Sequence, residues 1–301
     1  MRKVMCSLGE YSYEHIFIDN ASTDNTVAIL KAIAARDKNL KILVNTRNFG
    51  QIRSPMHALH QARGDAVVGI VADLQDPPHL IAEMVRHWEQ GAEVVLAIKR
   101  SSAENGIVFR LRQAFYKTLN GISEVKTYEN FTGFGFYDRK VVDMIKDIHD
   151  PYPYLRGIIA EIGLPHKDIY YDQPVRTRGK TKNNFATLYE LAMLGITRLS
   201  KAPLRIVTFL GFAGLGLSLI AGLAYPVYRL LYRDRFQGGF APVVIGMALL
   251  GSIQLLALGI LGEYIGNIHT MVQNRPFVFE RERVNFEFPP DIPLRVKDSP
   301  G

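Results

Sequence analysis

An apolar run that ends abruptly in carboxylate and amide side chains is the stretch of this sequence best suited to chemistry. The run Ala66–Ala72 is followed by Asp73, Gln75 and Asp76, and two prolines come next. Carboxylate and amide oxygens suit a hard divalent cation such as Mg²⁺ or Mn²⁺, which commonly bridges protein carboxylates to substrate phosphates. The same residues also fit an ordinary strand-to-helix turn, in which Asp76 caps the helix and the prolines open it. The stretch alone leaves both interpretations open.

Two further polar clusters end predicted strands earlier in the chain. Asp19 closes the run His15–Asp19, and the polar loop Asn45–Asn48 follows the next apolar run. Ligands of open α/β sheets bind outside the carboxyl ends of the strands, so we expect both clusters to lie near Asp73. A nucleotide needs polar groups to read its base, a metal for its diphosphate and cations for its leaving group. The alternative role for Asp19 is capping of the next helix, beside Ser22.

The spacing of apolar residues predicts an α/β fold. Short apolar runs alternate with helical patterns, as expected of βαβ units that build a mostly parallel sheet with covered faces. The predicted strands are His15–Asp19, Leu40–Val44, Ala66–Ala72, Glu93–Ile98 and Lys167–Asp172. The predicted helices are one that starts after Ser22–Asp24, then Pro55–Arg63, Pro78–Gln90, about 106–121, Arg139–Ile148 and Tyr154–Ile162.

Two long apolar stretches in the second half predict a helical hairpin that crosses a membrane. Residues 206–231 and 240–265 are each long enough, at about 1.5 Å per residue, to span a bilayer core of about 30 Å. The short link between them places both ends of the hairpin on one side, and the flanking Lys and Arg residues favour the cytoplasmic side. Residues 183–204 predict an amphipathic helix that lies on the membrane or packs against the soluble domain.

The composition excludes several other classes of protein. The formal net charge of +7 fits contact with phosphates or lipid head groups, but no basic run resembles a nucleic-acid-binding tail. We therefore expect no nucleic-acid partner. The single Cys6 excludes an internal disulfide and agrees with a cytoplasmic catalytic domain. The sequence contains neither a P-loop nor a GxGxxG motif, which disfavours a kinase or a dehydrogenase.

Five motifs in order along the chain resemble the polyprenyl-phosphate sugar transferases of glycosyltransferase family 2. They are FIDNASTDNT, NTRNFGQ, VADLQDPP, FTGFGFYDRK and RTRGKTK, and the two apolar stretches follow them. The resemblance implies a GT-A-type, Rossmann-like domain over residues 1–182 and a surface helix over 183–204. It places the transmembrane hairpin within 205–271 and a cytoplasmic tail over 272–301.

The resemblance also implies a reaction and a location. The expected reaction is an inverting transfer of a sugar from a nucleotide sugar, with a UDP-linked donor expected from the resemblance, to a polyprenyl phosphate. The expected location is the bacterial inner membrane, with the catalytic domain and both termini in the cytoplasm. The expected partners are the nucleotide sugar donor, the lipid acceptor and the membrane. The resemblance leaves open whether the protein forms a homo-oligomer.

The same resemblance implies roles for individual residues. Asp19, Asn48 and Asp73 would bind the nucleotide sugar, with Asp19 at the base. Asp73 and Gln75 would hold Mg²⁺ or Mn²⁺ beside the diphosphate. Phosphates of the donor or the acceptor would be gripped by basic residues, which are Arg110, Arg176, Arg178, Lys180 and Lys182. A solvated loop is the alternative interpretation of the cluster 176–182.

The chain departs from the family pattern at three places. It starts before the second strand of the usual fold, so the domain is predicted to be N-terminally incomplete. Val71 stands where relatives often carry the first Asp of a DxD motif. Gly133 and Gly135 stand where many relatives carry an Asp and an Arg, so the usual general base is missing. Glu161 and Asp138 are weak substitutes; the alternative for Glu161 is a helix-surface acid, and the alternative for Asp138 is an acid paired with a neighbouring Arg.

A missing base is compatible with transfer to a phosphate. A phosphate monoester has a second pKa of about 6, so its oxygen is already largely ionised near neutral pH. It needs placement and shielding from like charges, which basic side chains supply. Two other hypotheses remain: a catalytically impaired relative that acts as a binding or scaffold protein in the membrane, and, from the hairpin alone, a transporter subunit.

Overall fold

The described part of the chain forms two sheets, with helices on both faces of the larger one. The computed structural model describes residues 1–101, 121, 125, 128–174, 193–198, 200–231 and 241–286. The strands are β1 (His15–Asp19), β2 (Leu40–Asn45), β3 (Ala66–Gly69), β4 (Val94–Ser101), β5 (Phe131–Asp138), β6 (His166–Asp172) and β7 (Glu280–Val284). The helices are α1 (Arg2–Ser7), α2 (Thr26–Ala34), α3 (Gly50–Gln61), α4 (Ile81–Glu89), α5 (Arg139–Asp147), α6 (Leu155–Ile162), α7 (Ala202–Leu231) and α8 (Ala241–Gln273).

Both sheets are mixed. The first has the strand order β1-β2-β7 and the second has the order β3-β5-β4-β6. β1 and β2 are parallel, as are β4 and β6, whereas β5 is antiparallel to both β3 and β4 and β7 is antiparallel to β2. The α/β class is confirmed, but the prediction of a mostly parallel sheet is wrong. The reason is that β5 lies between β3 and β4 with reversed direction, and β7 closes the edge of β2 in the same manner.

The core of the second sheet is built on β4, whose side chains alternate between two apolar layers. Val94, Leu96 and Ile98 pack with α3, α5 and α6, whereas Val95 and Ala97 pack with α4. A strand buried on both faces reads as a continuous apolar run, as this one does. Helix α1, which the sequence patterns did not predict, joins the second layer beside α4.

Glu14 connects the starting ends of three strands. Its side chain accepts hydrogen bonds from the backbone N–H groups of Arg63 (2.5 Å) and Gly64 (3.3 Å), just before β3. It also pairs with the Lys41 ammonium of β2 at 2.6 Å. Burial opposes ionisation of Glu14, but these donors outweigh it and lower the pKa of the carboxyl. The starts of β1, β2 and β3 are therefore close together, although β3 belongs to the second sheet.

Several boundaries differ from those predicted. β3 is shorter than its apolar run because the chain leaves the sheet after Gly69. β5 and β7 were not predicted as strands, and β7 lies within the segment 272–301 that was expected to be only a tail. Most of the predicted surface helix, the predicted helix 106–121, and the residues Arg110, Arg176, Arg178, Lys180 and Lys182 lie outside the described residues.

Helices α7 and α8 are long and apolar enough to cross a membrane. Their apolar stretches, Ala202–Ala221 and Leu249–Gln273, have none of their length buried inside the protein. Large apolar side chains such as Phe209, Leu217 and Leu255 are about 70% exposed, which excludes a role as core helices of a soluble domain. The positions of both helices agree with the predicted spans.

Ala21, in the turn between β1 and α2, has a backbone conformation that favours glycine. Its φ angle is 60°, in the left-handed region. That region costs a residue with a Cβ about 1–2 kcal/mol, because the Cβ approaches the following carbonyl oxygen. The turn is nevertheless held in place, because Asp19 accepts hydrogen bonds from Ser22 directly after it.

We therefore expect Ala21→Gly to stabilise the protein. Glycine removes the steric cost but increases the entropy of the unfolded chain, which leaves a gain of about 1 kcal/mol, or roughly 2–4 °C in Tm. The measurement is thermal unfolding of the full chain in detergent, followed by circular dichroism. Ala32→Gly, at an exposed position inside α2, is the matched control. It should lower Tm by a similar amount, and an equal loss in both variants would contradict the assignment of strain to Ala21.

Candidate active site

The first part of the site is the turn that follows β1. Asp19 is 6% exposed, and its carboxylate accepts hydrogen bonds from the backbone N–H of Ser22 (2.9 Å) and from its hydroxyl (2.5 Å). These contacts close the turn after β1, but they do not cap α2, whose N-cap is Asn25, so the capping alternative for Asp19 is wrong. The turn then leads to α2, where Asp24 accepts a hydrogen bond from the backbone N–H of Thr26 (3.0 Å). Contact between Asp19 and a base stays a prediction.

Asn20, which the sequence analysis did not single out, organises the loop after β2. Its side-chain oxygen accepts hydrogen bonds from the amide of Asn45 (2.9 Å), from the Ser54 hydroxyl and from the backbone N–H of Phe49 (3.3 Å). Its amide donates to the carbonyl of Gly50 at 3.1 Å. The sequence signal was its position directly after a strand-ending Asp. One amide thereby ties the end of β1 to the whole loop between β2 and α3.

Arg47 and Asn48 of that loop are both exposed to solvent. The side-chain oxygen of Asn48 accepts a hydrogen bond from the backbone N–H of Gly50 (2.8 Å), which opens α3. The guanidinium of Arg47 lies 4.1 Å from the centroid of the Phe49 ring, and that of Arg53 lies 5.4 Å from the same centroid. Stacking on an aromatic face fixes a guanidinium without neutralising it. Arg47 and Arg53 are thus cations close to Asn48 that the sequence-based assignment had not included.

The loop after β3 is closed on itself by Asp73 and Asp76. Asp73 accepts a hydrogen bond from the backbone N–H of Gln75 at 3.1 Å. Asp76 accepts one from the backbone N–H of Val71, which is a longer contact of 3.4 Å. Between them Leu74 is 61% exposed and has a φ of 61°. A bulky residue in the left-handed region is a true outlier, and such outliers concentrate at ligand-binding loops.

Asp76 is an anchor of this loop and not a helix cap. It is 3% exposed, and the phenol of Tyr171 in β6 donates a 2.9 Å hydrogen bond to it. The turn that opens the next helix starts at Pro78 and has no side-chain cap. Burial raises the pKa of the Asp76 carboxyl, although Tyr171 and the positive charge of Lys99 oppose the shift. The interpretation of Asp76 as an N-cap is therefore wrong.

The donor set at Asp73 and Gln75 fits a divalent cation. Both side chains are half-buried, and both offer hard oxygen atoms within one short loop. Among the residues that the structure describes, no group of three or more His, Cys, Asp or Glu side chains is placed to hold a metal. A site with one carboxylate suits an ion such as Mg²⁺, which keeps water and phosphate oxygens as its other ligands.

The two candidate bases lie at the opposite end of the sheet from this loop. Asp138 pairs in register with Ala66, the first residue of β3, and its carboxylate accepts hydrogen bonds from the Trp88 indole (2.7 Å) and the backbone N–H of Lys140 (2.9 Å). Glu161 is exposed in the last turn of α6, before β6 begins. Glu161 therefore matches its alternative, a surface acid, whereas Asp138 caps the start of α5 and binds Trp88 in place of the expected Arg. The described contacts support neither residue as a base.

The glycines that replace an Asp and an Arg of the family pattern are required by the backbone. Gly133 has a φ of 102°, beside the register shift between β4 and β5. A Cβ on Gly135 would lie 2.7 Å from the phenol oxygen of Tyr137, which is fully buried. Position 135 has no room for a side chain in its present conformation, whereas position 133 has room but a backbone conformation that favours glycine. The conformation of β5 therefore accounts for glycine at both positions.

Tyr171→Phe tests the anchor, because it leaves the buried Asp76 carboxylate without its strongest neutral donor. Loss of a donor to a buried carboxylate costs about 2–3 kcal/mol, so we expect a fall in Tm of roughly 5 °C at pH 7.5. The pKa of Asp76 is raised in the fold, so the native state binds more protons than the unfolded state, and the destabilisation should shrink as the pH is lowered.

The control for this prediction is the double variant Tyr171→Phe/Asp76→Asn. It removes the titrating group, so its Tm deficit should be smaller at pH 7.5 and independent of pH. Tyr170→Phe, at the exposed neighbouring position, should change nothing. A deficit in Tyr171→Phe that does not change between pH 5 and pH 7.5 would contradict the role of Asp76.

Comparisons with known proteins identify a family and relatives for this chain. The family model described as "Glycosyl transferase family 2" matches residues 2–145. A bactoprenol glucosyl transferase derived from prophage SfII of Shigella flexneri is 35% identical over 270 residues, which are 89% of this chain and 87% of the relative. The uncharacterized glycosyltransferase YkcC of Bacillus subtilis is 32% identical over 289 residues, 95% of this chain and 88% of the relative.

A third relative comes from another bacterium. The prophage bactoprenol glucosyl transferase homolog of Escherichia coli K12 is 34% identical over 270 residues, with 89% of this chain and 88% of the relative covered. Each of these matches spans both the soluble domain and the apolar helices, because it covers about nine-tenths of the chain. The chain belongs to glycosyltransferase family 2, and it is a glycosyltransferase.

Proposed function

We propose that the protein transfers a hexose from a UDP-linked sugar to a polyprenyl phosphate on the cytoplasmic face of a bacterial inner membrane. The observation that carries the proposal is the position of β7. This strand follows the two membrane-length helices, yet it pairs with β2 beside the predicted donor loop. The donor site is thereby connected directly to the apolar helices. The names of the relatives, bactoprenol glucosyl transferases, support a glucosyl donor and a polyprenyl acceptor.

A lipid acceptor explains why the two parts belong to one chain. Each buried CH₂ of an isoprenoid contributes about 0.8 kcal/mol to membrane binding, so a polyprenyl phosphate does not leave the bilayer. The enzyme must therefore hold its soluble donor at the membrane surface. Residues before α7 and after α8 both contact the same soluble domain, which supports a topology with both ends of the hairpin on one side of the membrane. Flanking cations favour the cytoplasmic side.

The proposed reaction is a single displacement. An ionised oxygen of the acceptor phosphate attacks the anomeric carbon, a new C–O bond forms, and the bond to the diphosphate breaks as the nucleoside diphosphate leaves with the electron pair. Configuration at the anomeric carbon is inverted. Asp73 and Gln75 would hold Mg²⁺ or Mn²⁺, which neutralises the diphosphate of the donor. Asp19 and Asn48 would bind the donor, and Arg47 would add positive charge beside Asn48.

No general base enters this reaction. The nucleophile is already charged near pH 7, so the protein must place it and reduce its repulsion from the donor. The glycines at positions 133 and 135 are then compatible with turnover. The basic residues Arg110, Arg176, Arg178, Lys180 and Lys182 stay predicted phosphate contacts. The competing proposal is a catalytically impaired scaffold, which the same two glycines would also fit.

Transfer of radiolabelled glucose from UDP-glucose into a lipid-extractable product tests the proposal. The purified full chain, in bilayer nanodiscs with undecaprenyl phosphate, should form this product with Mn²⁺ or Mg²⁺ and lose it with a chelator. Asp73→Asn should lower kcat by about 100-fold, the effect of roughly 3 kcal/mol of lost charge stabilisation. It should also weaken Mn²⁺ binding in the presence of UDP, measured by electron paramagnetic resonance.

Asp143→Asn, at a surface acid of α5 whose side chain is 55% exposed, is the control and should behave as the wild type. Absence of a lipid-linked product from every common nucleotide sugar would favour the scaffold. An Asp73→Asn protein that keeps metal-dependent turnover would instead contradict the metal assignment alone.

A further inference from the structure

The cytoplasmic end of α8 is fastened to the segment that precedes α7. The phenol of Tyr264 donates a hydrogen bond to the carbonyl of Ser200 at 2.7 Å. One turn later, the amide of Asn267 donates to the hydroxyl of Thr197 at 2.6 Å. Ser200 and Tyr264 therefore lie at the same height along the hairpin. Since α7 begins at Ala202, this height is the level at which the apolar stretch of α7 begins.

The last turns of α8 extend beyond that level. The helix has 33 residues, which is about 50 Å at 1.5 Å per residue, against about 30 Å for the hydrocarbon core. Although its apolar stretch runs to Gln273, the turns after Tyr264 also contain Asn267, His269 and Thr270. The same turns also carry exposed Ile265, Ile268 and Val272, so they are amphipathic. The nine residues of α8 after Tyr264, 265–273, are named the stem.

The segment 193–200 is in turn fastened to the catalytic domain by an ion pair. The guanidinium of Arg198 contacts the carboxylate of Asp150 at 2.9 Å, and the side chains are only 12% and 10% exposed. The same carboxylate oxygen accepts a hydrogen bond from the backbone N–H of Tyr152 at 2.9 Å. Buried ion pairs seldom add net stability, because desolvation offsets their attraction, but they hold one geometry. Asp150 belongs to the loop between α5 and α6.

A second attachment lies on the other side of the stem. The strap, defined here as residues 275–286, runs from the end of α8 along α3 and becomes β7. Arg53 donates to the carbonyl of Pro276 at 2.5 Å, and the backbone N–H of Thr46 donates to the carbonyl of Phe279 at 2.9 Å. At its far end the amide of Asn285 donates to the carbonyls of Ala34 and Leu40, each at 2.8 Å.

We propose that Arg198 and Asp150 are positioning residues that fix the height and tilt of the active site above the membrane. With the strap they attach the catalytic domain to the stem at two separate places, and two attachments prevent rotation about either one. The inference deepens the proposed function and rests on it. A lipid phosphate lies at one depth only, so a tilted domain presents the donor away from the acceptor.

Breaking this attachment should reduce transfer to one kind of acceptor and leave donor binding unchanged. Breaking the Arg198–Asp150 pair should leave donor binding intact, because Asn48 and Asp73 lie on other loops. It should impair transfer to an acceptor held in a bilayer, for which position matters. Transfer to a short, water-soluble isoprenyl phosphate should be affected much less, because this acceptor reaches the site in any orientation of the domain.

The test compares Arg198→Gln with the wild-type full chain. We expect transfer to undecaprenyl phosphate in nanodiscs to fall at least 10-fold in kcat/KM for Arg198→Gln, and transfer to a two-isoprene phosphate in detergent to stay within 3-fold. The Kd for UDP should not change. Arg198→Lys keeps the charge and should recover part of the loss. Asp143→Asn, which weakens a surface ion pair with Lys146, is the matched control and should change neither rate.

A second readout does not depend on catalysis. Cys6 is the single cysteine of the chain and is exposed in the catalytic domain, so a fluorophore can be attached to the native sequence. Energy transfer to labelled lipid head groups should give a narrow distance distribution in the wild type and a broader or shifted one in Arg198→Gln. If the wild type makes no lipid-linked sugar at all, the proposed function fails and this distance alone decides the inference. Equal losses with both acceptors, or an unchanged distance, would overturn it.

Discussion

The carboxylate of Glu14 holds the starting ends of three strands together, and the predicted site is formed by the loops that follow these strands. Glu14 binds the backbone just before β3 and the ammonium of Lys41 in β2, while its own residue directly precedes β1. Strands that start at one edge deliver their ends to the opposite edge. We expect on this ground that the Asp73 loop lies on the same side of the domain as Asp19 and the Asn45–Asn48 loop, which Asn20 brings together.

Two further side chains stabilise the loops that follow these strands. Asn20 connects the end of β1 to the start of α3, and Tyr171 connects β6 to the loop after β3. Both contacts are made by side chains that do not themselves face a substrate in the proposed reaction. The site therefore depends on neutral amides and a phenol that set the shape of the loops, and its charged residues can remain available for phosphates.

Patterns along the chain predicted the elements whose character is local. β1 has the predicted bounds because its apolar run ends in a carboxylate and a turn, and α5 and α6 follow clear periodicity. β5 was missed because its glycines resemble a loop, and it becomes a strand only by pairing with β3 and β4. β7 is the polar sequence ERERV, which is a strand because the edge of β2 is open. Tyr171, the partner of Asp76, lies 95 residues away and leaves no local signal.

The pairing of β2 with β7 also constrains how the protein is made. The two strands are separated by more than two hundred residues, and both apolar helices lie between them. During synthesis β7 leaves the ribosome only after α7 and α8, so the first sheet remains open at one edge until the helices have been made. Contacts this distant in sequence also close slowly, because the chain between them must be ordered first. Assembly of the donor loop is thereby delayed until membrane insertion of the hairpin has become possible, and a nascent chain still in the cytosol lacks the complete sheet.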